Sequence, residues 1–177
     1  MDGQTTNPSL IAKNPTAQKR LQSGNKFTKD EVNIFYKNII NEIAKTIPKG
    51  SLSIEVCADK DTSIDDILSQ AREMNTWNEN AYIKLPIIKN GLEAASKLCH
   101  EGIRVNMTLC FSQQQAAAVY SATSHAHIYD VYLSPFVGRL DDKGIDGMSL
   151  IKNIKDLYTQ GDGHVEILTA SVRSCLL

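Results

Sequence analysis

The chain is 177 residues long, 42% hydrophobic and 22% charged, with a formal net charge of −1, enough material for one globular domain with a real core. Near-neutral charge, with no basic stretch interleaved with aromatics, argues against nucleic acid or an anionic membrane as partner. No apolar run approaches membrane-spanning length and the N-terminus lacks the regions of a secretory leader, so a cytoplasmic location is expected.

Along the chain, TTN in Met1–Leu10 reads as a short polar strand end running into Pro8, a favoured first helical residue. The polar stretch Lys13–Lys26 is expected to be loop or frayed helix. Thr28 and Glu31 form a capping box that opens a long amphipathic helix, with Val32, Phe35, Tyr36, Ile39, Ile40, Ile43 and Ile47 at helical spacing. Ser51–Cys57 alternates like a strand, and Ser63 caps a helix over Ile64–Met74. Then come the strand AYIKLP (Ala81–Pro86), a helix over Lys89–His100 closed by Gly102, and a strand over Arg104–Cys110. Ser112 and Gln115 make a second capping box for a helix ending near Thr123; strand His127–Phe136, helix Met148–Thr159 and strand Val165–Ser171 complete the order.

Strand and helix thus alternate about six times, which predicts a parallel sheet, either open and doubly wound or closed as a (β/α)8 barrel. No GxGxxG or GxxxxGK[ST] follows a strand, which removes the usual nucleotide-binding readings of an open sheet. The scattered Cys57, Cys99, Cys110 and Cys175 form no CxxC pair and read as reduced thiols. His100, His125, His127 and His164 have no metal-ligand spacing, so no metal is expected; His125 and His127 fit one face of a short strand as surface residues.

Strand parity sorts the side chains into two faces. Ile54 and Val56, Ile83 and Leu85, Val105, Met107 and Leu109, and Val131 and Leu133 form an apolar face suited to a helical shell. Opposite them stand Ser53 and Glu55, Lys84, Asn106 and Thr108, and Tyr132 and Ser134; in the last strand Ile167, Thr169, Ser171 and Arg173 share one parity against Leu168 and Ala170. Helices on both sides would strand these polar groups in a core, whereas a barrel gathers them at its top interior, where sites of that fold sit.

A lone lysine in a buried strand is expensive to desolvate. Burial favours the neutral amine, a nucleophile that condenses with carbonyls, so Lys84 is the candidate Schiff-base residue. An isolated strand-end lysine more often reaches solvent; the polar residues on neighbouring strands reverse that preference here. Glu55 and the Thr108 hydroxyl can relay protons through water, Asn7 and Asn106 can bond substrate hydroxyls, and Arg139 and Arg173, each just beyond a strand end, can hold a phosphate.

From TTNPSLI (Thr5–Ile11) nearly to the last residue the sequence resembles the transaldolase family: SIEV (Ser53–Val56), YIKLP, IRVNMTLCFS (Ile103–Ser112), LSPFVGRLDD (Leu133–Asp142) and ASVR (Ala170–Arg173) fall in the family order. The resemblance implies a (β/α)8 TIM-type barrel and a class I aldolase mechanism with no metal or other cofactor. It implies transfer of a dihydroxyacetone unit from sedoheptulose 7-phosphate or fructose 6-phosphate to an aldose phosphate, in the non-oxidative pentose phosphate pathway. Lys84 matches the Schiff-base lysine, and Glu55 and Thr108 the catalytic-water relay. Thr5, Asn7, Asn106 and Ser134 match substrate contacts, and Arg139, Ser171 and Arg173 the phosphate site.

Two departures shape the expectation. The family's first strand bears an acid/base aspartate and would precede Met1, and Asp2 does not match it; its eighth strand would follow Leu177. Residues 1–177 are therefore expected to form a single, incomplete barrel domain, with strands two to seven present and strands one and eight missing. Turnover is expected to be severely reduced or absent, and self-association would be one way to cover the open edges. The alternatives are a pseudoenzyme that at most binds sugar phosphate, and a sibling aldolase that cleaves fructose 6-phosphate without an acceptor.

Overall fold

The computed structural model describes residues 2–173. Cys175, expected as a reduced thiol, lies outside the described residues. Six strands run parallel in the order of the chain: β1 (Gly3–Thr5), β2 (Ser51–Glu55), β3 (Ala81–Pro86), β4 (Val105–Cys110), β5 (Val131–Pro135) and β6 (Val165–Ile167). An order without reversal distinguishes a barrel from a doubly wound sheet, where the order turns back at a switch point. Residues of both edge strands, Gly3–Thr5 on one side and Glu166–Ile167 on the other, line one cavity, so the sheet curls toward itself. The result is an incomplete (β/α) barrel, as expected.

The connecting helices are α1 (Pro8–Ala12), α2 (Pro15–Gln22), α3 (Lys29–Thr46), α4 (Ile64–Asn75), α5 (Lys89–His100), α6 (Gln113–Ala122), α7 (Val137–Asp141) and α8 (Gly147–Tyr158). Their starts follow local chemistry. Asn7, with Pro8 at the first helical position, accepts the Leu10 amide at 2.8 Å. Thr28 and Glu31 complete both arms of the capping box. At α6, Ser112 accepts from the Gln115 amide, but the Gln115 side chain accepts from Phe111 N at 2.8 Å rather than from Ser112, so the expected box is only half formed.

Ile54, Ile83, Leu85, Val105, Met107, Val131 and Leu133 are buried in one continuous core with the inner faces of the helices. Burial of a Leu or Ile side chain contributes roughly 1.5–3 kcal/mol, so this core is the principal term holding the sheet.

Several expectations are corrected. The polar stretch after Lys13 contains a full helix, α2, because Asn14 accepts the Thr16 amide and Pro15 starts the turn. The fifth strand begins at Val131 rather than His127; the residues before it turn, and the His125 ring packs on His100 with centroids 4.2 Å apart. A short helix, α7, follows the fifth strand directly. The last strand ends at Ile167, with only an isolated bridge from Ala170 to Phe136 beyond it. Its register pairs Glu166 with Tyr132 and Ile167 with Leu133, so Glu166 lies on the inner row while Ile167 packs against the core, the reverse of the expected parity.

Candidate active site

Strand register assembles the inner face. Glu55 pairs with Lys84, Lys84 with Asn106, Asn106 with Tyr132 and Tyr132 with Glu166, forming one row across β2 to β6. One layer toward the C-terminal ends, Pro86 pairs with Thr108 and Thr108 with Ser134. Each strand contributes alternate residues, so these polar groups converge while the intervening aliphatics face the helices.

The lysine side chain is 7% exposed, and its Nζ lies 2.8 Å from Glu55 Oε2, whose side chain is 18% exposed. The amine also donates to the Thr6 carbonyl at 3.5 Å. A buried ammonium is tolerable only with such partners. Lys84 borders two cavities: one of about 620 Å³, shared with Thr5, Ser53, Tyr132 and Ser134, and one of about 550 Å³, shared with Asn7, Glu55, Phe136 and Arg139. Both volumes fall in the range of small-molecule sites.

Asn106 is fully buried and bridges two hydroxyls: its Nδ2 donates to Ser53 Oγ at 2.9 Å, and Ser134 Oγ donates to its Oδ1 at 2.8 Å. Thr108 is fully buried, and its Oγ1 has no protein partner, the single such buried side-chain atom among the described residues. It therefore makes no direct hydrogen bond to Glu55. Tyr132, in the same row as Lys84 and Asn106, stacks on Tyr82 from the layer beneath, with centroids 4.4 Å apart.

The remaining candidates are placed less uniformly. Thr5 lies on the edge strand, exposed, at the wall of the larger cavity. The Asn7 carbonyl oxygen is engaged in capping α1. Arg139 lies over the Phe136 ring, 4.8 Å from its centroid, and lines the smaller cavity. Ser171, in the left-handed region at φ 63°, lines the larger one. Arg173 is engaged elsewhere: Nη2 and Nε hold Asp142 at 2.5 and 3.2 Å, and Nη1 donates to both oxygens of Ser171. The Arg173 guanidinium, with Arg139 adding its charge, holds the Asp142 carboxyl below the usual carboxylate range. Gly138 lets α7 approach this segment, since a methyl group there would collide with the Ser171 carbonyl.

Two contributors went unread in the sequence. Thr6 is buried, and Tyr36, assigned only to the apolar stripe of α3, presents its hydroxyl to both Thr6 and Glu55 N. The signal was there: a phenol on a helix face that must be buried needs a partner for its hydroxyl. Cys99 and Cys110 are buried, which pushes their thiols up to about 12 and about 11. Among the described residues no group of three His, Cys, Asp or Glu side chains could hold a metal ion, and no helix is long and apolar enough to cross a membrane.

A parallel β/α barrel sheet with a buried amine–carboxylate pair and several polar side chains near its C-terminal strand ends defines an enzyme-type site of that fold. The chain belongs to the transaldolase/fructose-6-phosphate aldolase family, whose profile matches residues 1–176. It is 38% identical over 173 residues to a "Probable transaldolase" of Dehalococcoides mccartyi (strain ATCC BAA-2266 / KCTC 15142 / 195), covering 98% of this chain and 68% of that relative. A "Probable transaldolase" of Brucella ovis (strain ATCC 25840 / 63/290 / NCTC 10512) is 41% identical over 174 residues, covering 98% of this chain and 67% of the relative. The chain thus spans about two thirds of the length of these relatives.

Proposed function

We propose that Lys84 forms a Schiff base with a ketose phosphate and carries a dihydroxyacetone unit to an aldose phosphate, the transaldolase reaction of the non-oxidative pentose phosphate pathway in the cytoplasm. The observation that carries this reading is the Lys84 amine, held nearly dry at 2.8 Å from Glu55 on the wall of two cavities. Lys84 first passes a proton to Glu55; the amine lone pair then adds to the C2 carbonyl carbon, the carbonyl electron pair takes up a proton, and the nitrogen gives one up. The carbinolamine then loses water as the nitrogen lone pair forms C=N. Glu55 and Thr108, linked through a water, supply and remove these protons; the unpartnered Thr108 hydroxyl has both a donor and acceptor capacity for such a bridge.

Cleavage of C3–C4 then moves that bond's electron pair into the iminium to leave an enamine on Lys84, while the C4 hydroxyl becomes the carbonyl of the aldehyde product and its proton passes to water. The enamine adds to the acceptor aldehyde, whose oxygen takes a proton back from water, and hydrolysis of the new imine regenerates the amine. Asn106 and Ser134 orient sugar hydroxyls, with Thr5 and Asn7 at the cavity margins. Arg139, Ser171 and Arg173 receive the phosphate, Arg173 after exchanging Asp142 for it. Asp2 does not serve as the base for C3–C4 cleavage in this scheme. Thr5 is level with Ser53, two residues below Glu55, and Asp2 is three residues lower still, so at ~3.3 Å per residue the separation along the strand is ~16 Å.

Borohydride reduction in the presence of fructose 6-phosphate tests the proposal. A reduced adduct mapped to Lys84, absent in Lys84→Met, is the expected result. A folded chain that gives no adduct would favour a pseudoenzyme. Repeated turnover of fructose 6-phosphate to free dihydroxyacetone and glyceraldehyde 3-phosphate without an acceptor aldose would instead favour the aldolase reading.

A further inference from the structure

We propose that Tyr36, on helix α3 outside the sheet, is a positioning residue for the Lys84 amine, acting through a directed hydrogen-bond relay with Thr6. The inference rests on the reading of Lys84 as an imine-forming amine. Tyr36 is 3% exposed and packs edge-on against Trp77, so its ring has little freedom.

The proton positions follow from the partners. The Thr6 hydroxyl has one hydrogen, and the Ser53 carbonyl 2.8 Å away can only accept it. Thr6 Oγ1 must therefore accept from Tyr36 Oη at 2.7 Å. Tyr36 Oη in turn accepts from the Glu55 amide at 3.0 Å. The relay runs in one sense: Glu55 N–H to Tyr36 O–H to Thr6 O–H to the Ser53 carbonyl. Two of its members are the residues that contact the amine: Glu55 through its carboxylate at 2.8 Å and Thr6 through its carbonyl at 3.5 Å. Burial raises the Tyr36 phenol to about 12, so the donor to Thr6 keeps its proton throughout the working range of pH.

Helical Tyr36 thus ties the end of β2 at Glu55 to Thr6, the residue after β1, and with them both partners of Lys84. Small displacements of a reacting group carry large rate penalties, so an intact relay bears on the rate of imine formation more than on sugar affinity.

The test compares Tyr36→Phe, Thr6→Val, the double variant and Thr6→Ser in borohydride trapping with fructose 6-phosphate, with rates expressed per folded molecule from urea titrations. Tyr36→Phe and Thr6→Val are expected to slow trapping at saturating sugar roughly tenfold or more with the half-saturating concentration unchanged. The double variant should be no slower than either single one, and Thr6→Ser, which keeps the hydroxyl, should match the unsubstituted chain. Pyridoxal 5′-phosphate, trapped on Lys84 and located by peptide mapping, gives the same comparison without sugar recognition. If fructose 6-phosphate gives no adduct while pyridoxal phosphate does, the proposed function fails and the relay is still read. Equal rates in Tyr36→Phe and the unsubstituted chain, or independent losses that multiply in the double variant, would overturn the inference. Absence of both adducts would overturn it together with the reading beneath it.

Discussion

Arg173 and Asp142 form a two-pronged ion pair, Nη2 to Oδ2 at 2.5 Å and Nε to Oδ1 at 3.2 Å, which occupies the geometry a phosphate would use. The carboxylate therefore competes with an incoming anion while keeping the guanidinium oriented. Arg139 shares in this field, since its charge also acts on Asp142. Asp142→Asn removes the competing charge and leaves both arginines. The expected result is a several-fold lower dissociation constant for inorganic phosphate by titration calorimetry, with tighter binding disappearing in Arg173→Gln. Unchanged affinity in Asp142→Asn would place the phosphate elsewhere.

The Lys84–Glu55 pair makes a second prediction, on stability. Either single neutralisation, Glu55→Gln or Lys84→Met, leaves one charge poorly solvated beside a residue only 7% or 18% exposed. Breaking a fully buried pair costs roughly 3–5 kcal/mol, and the residual exposure of Glu55 reduces this to about 2 kcal/mol for either variant. The double variant removes both charges and should cost less than the sum of the singles, by about 1 kcal/mol or more. Urea unfolding of the four proteins at neutral pH measures the coupling; additive losses would mean that the amine and carboxylate do not interact.

Most of this pair was legible beforehand, because the alternation of AYIKLP and SLSIEVC puts Lys84 and Glu55 on the face opposite Ile83, Leu85 and Ile54 whatever the register. Register itself comes from tertiary pairing, and only it shows that the two side chains are adjacent. Asn106 was legible as polar and inward, but its engagement by Ser53 and Ser134 depends on strands far apart in the sequence. Parity failed at β6, where three paired residues are too few for alternation to anchor a face. The irregularity at Leu109, with φ 64° and a register shift between Thr108 and Cys110, likewise has no signature in RVNMTLC, since bulky residues rarely adopt that conformation.

Thr108 separates stability from chemistry. Its buried Oγ1 lacks a protein partner, and a hydroxyl in that position costs roughly 1–3 kcal/mol if left unsatisfied but little if it holds the relay water. Thr108→Val keeps the shape and removes the hydroxyl, so with the relay water bound it should not raise the unfolding free energy in urea titrations. The same substitution should slow adduct formation at Lys84 roughly a hundredfold if the hydroxyl takes part in proton relay. A stabilised variant with an unchanged trapping rate would mean that the hydroxyl holds no relay water and would remove Thr108 from the mechanism.

Asp162 supplies a pH dependence remote from the site. Its Oδ1 accepts from Tyr120 Oη and faces His164 Nδ1, both at 2.5 Å, linking α6 to the start of β6. The Tyr120 hydrogen bond, followed by that of His164, holds this carboxyl far below the usual range. A carboxyl depressed in the folded chain binds fewer protons there than when unfolded, so its contribution to stability rises with pH. That contribution is complete above the unfolded value of about 3.9 and is lost as acidification passes down toward the folded value. The melting-temperature difference between the unsubstituted chain and Asp162→Asn should therefore shrink as the pH falls below about 4. A difference that stays level at low pH, or grows there, would show that the carboxylate is not held by Tyr120 and His164 in solution.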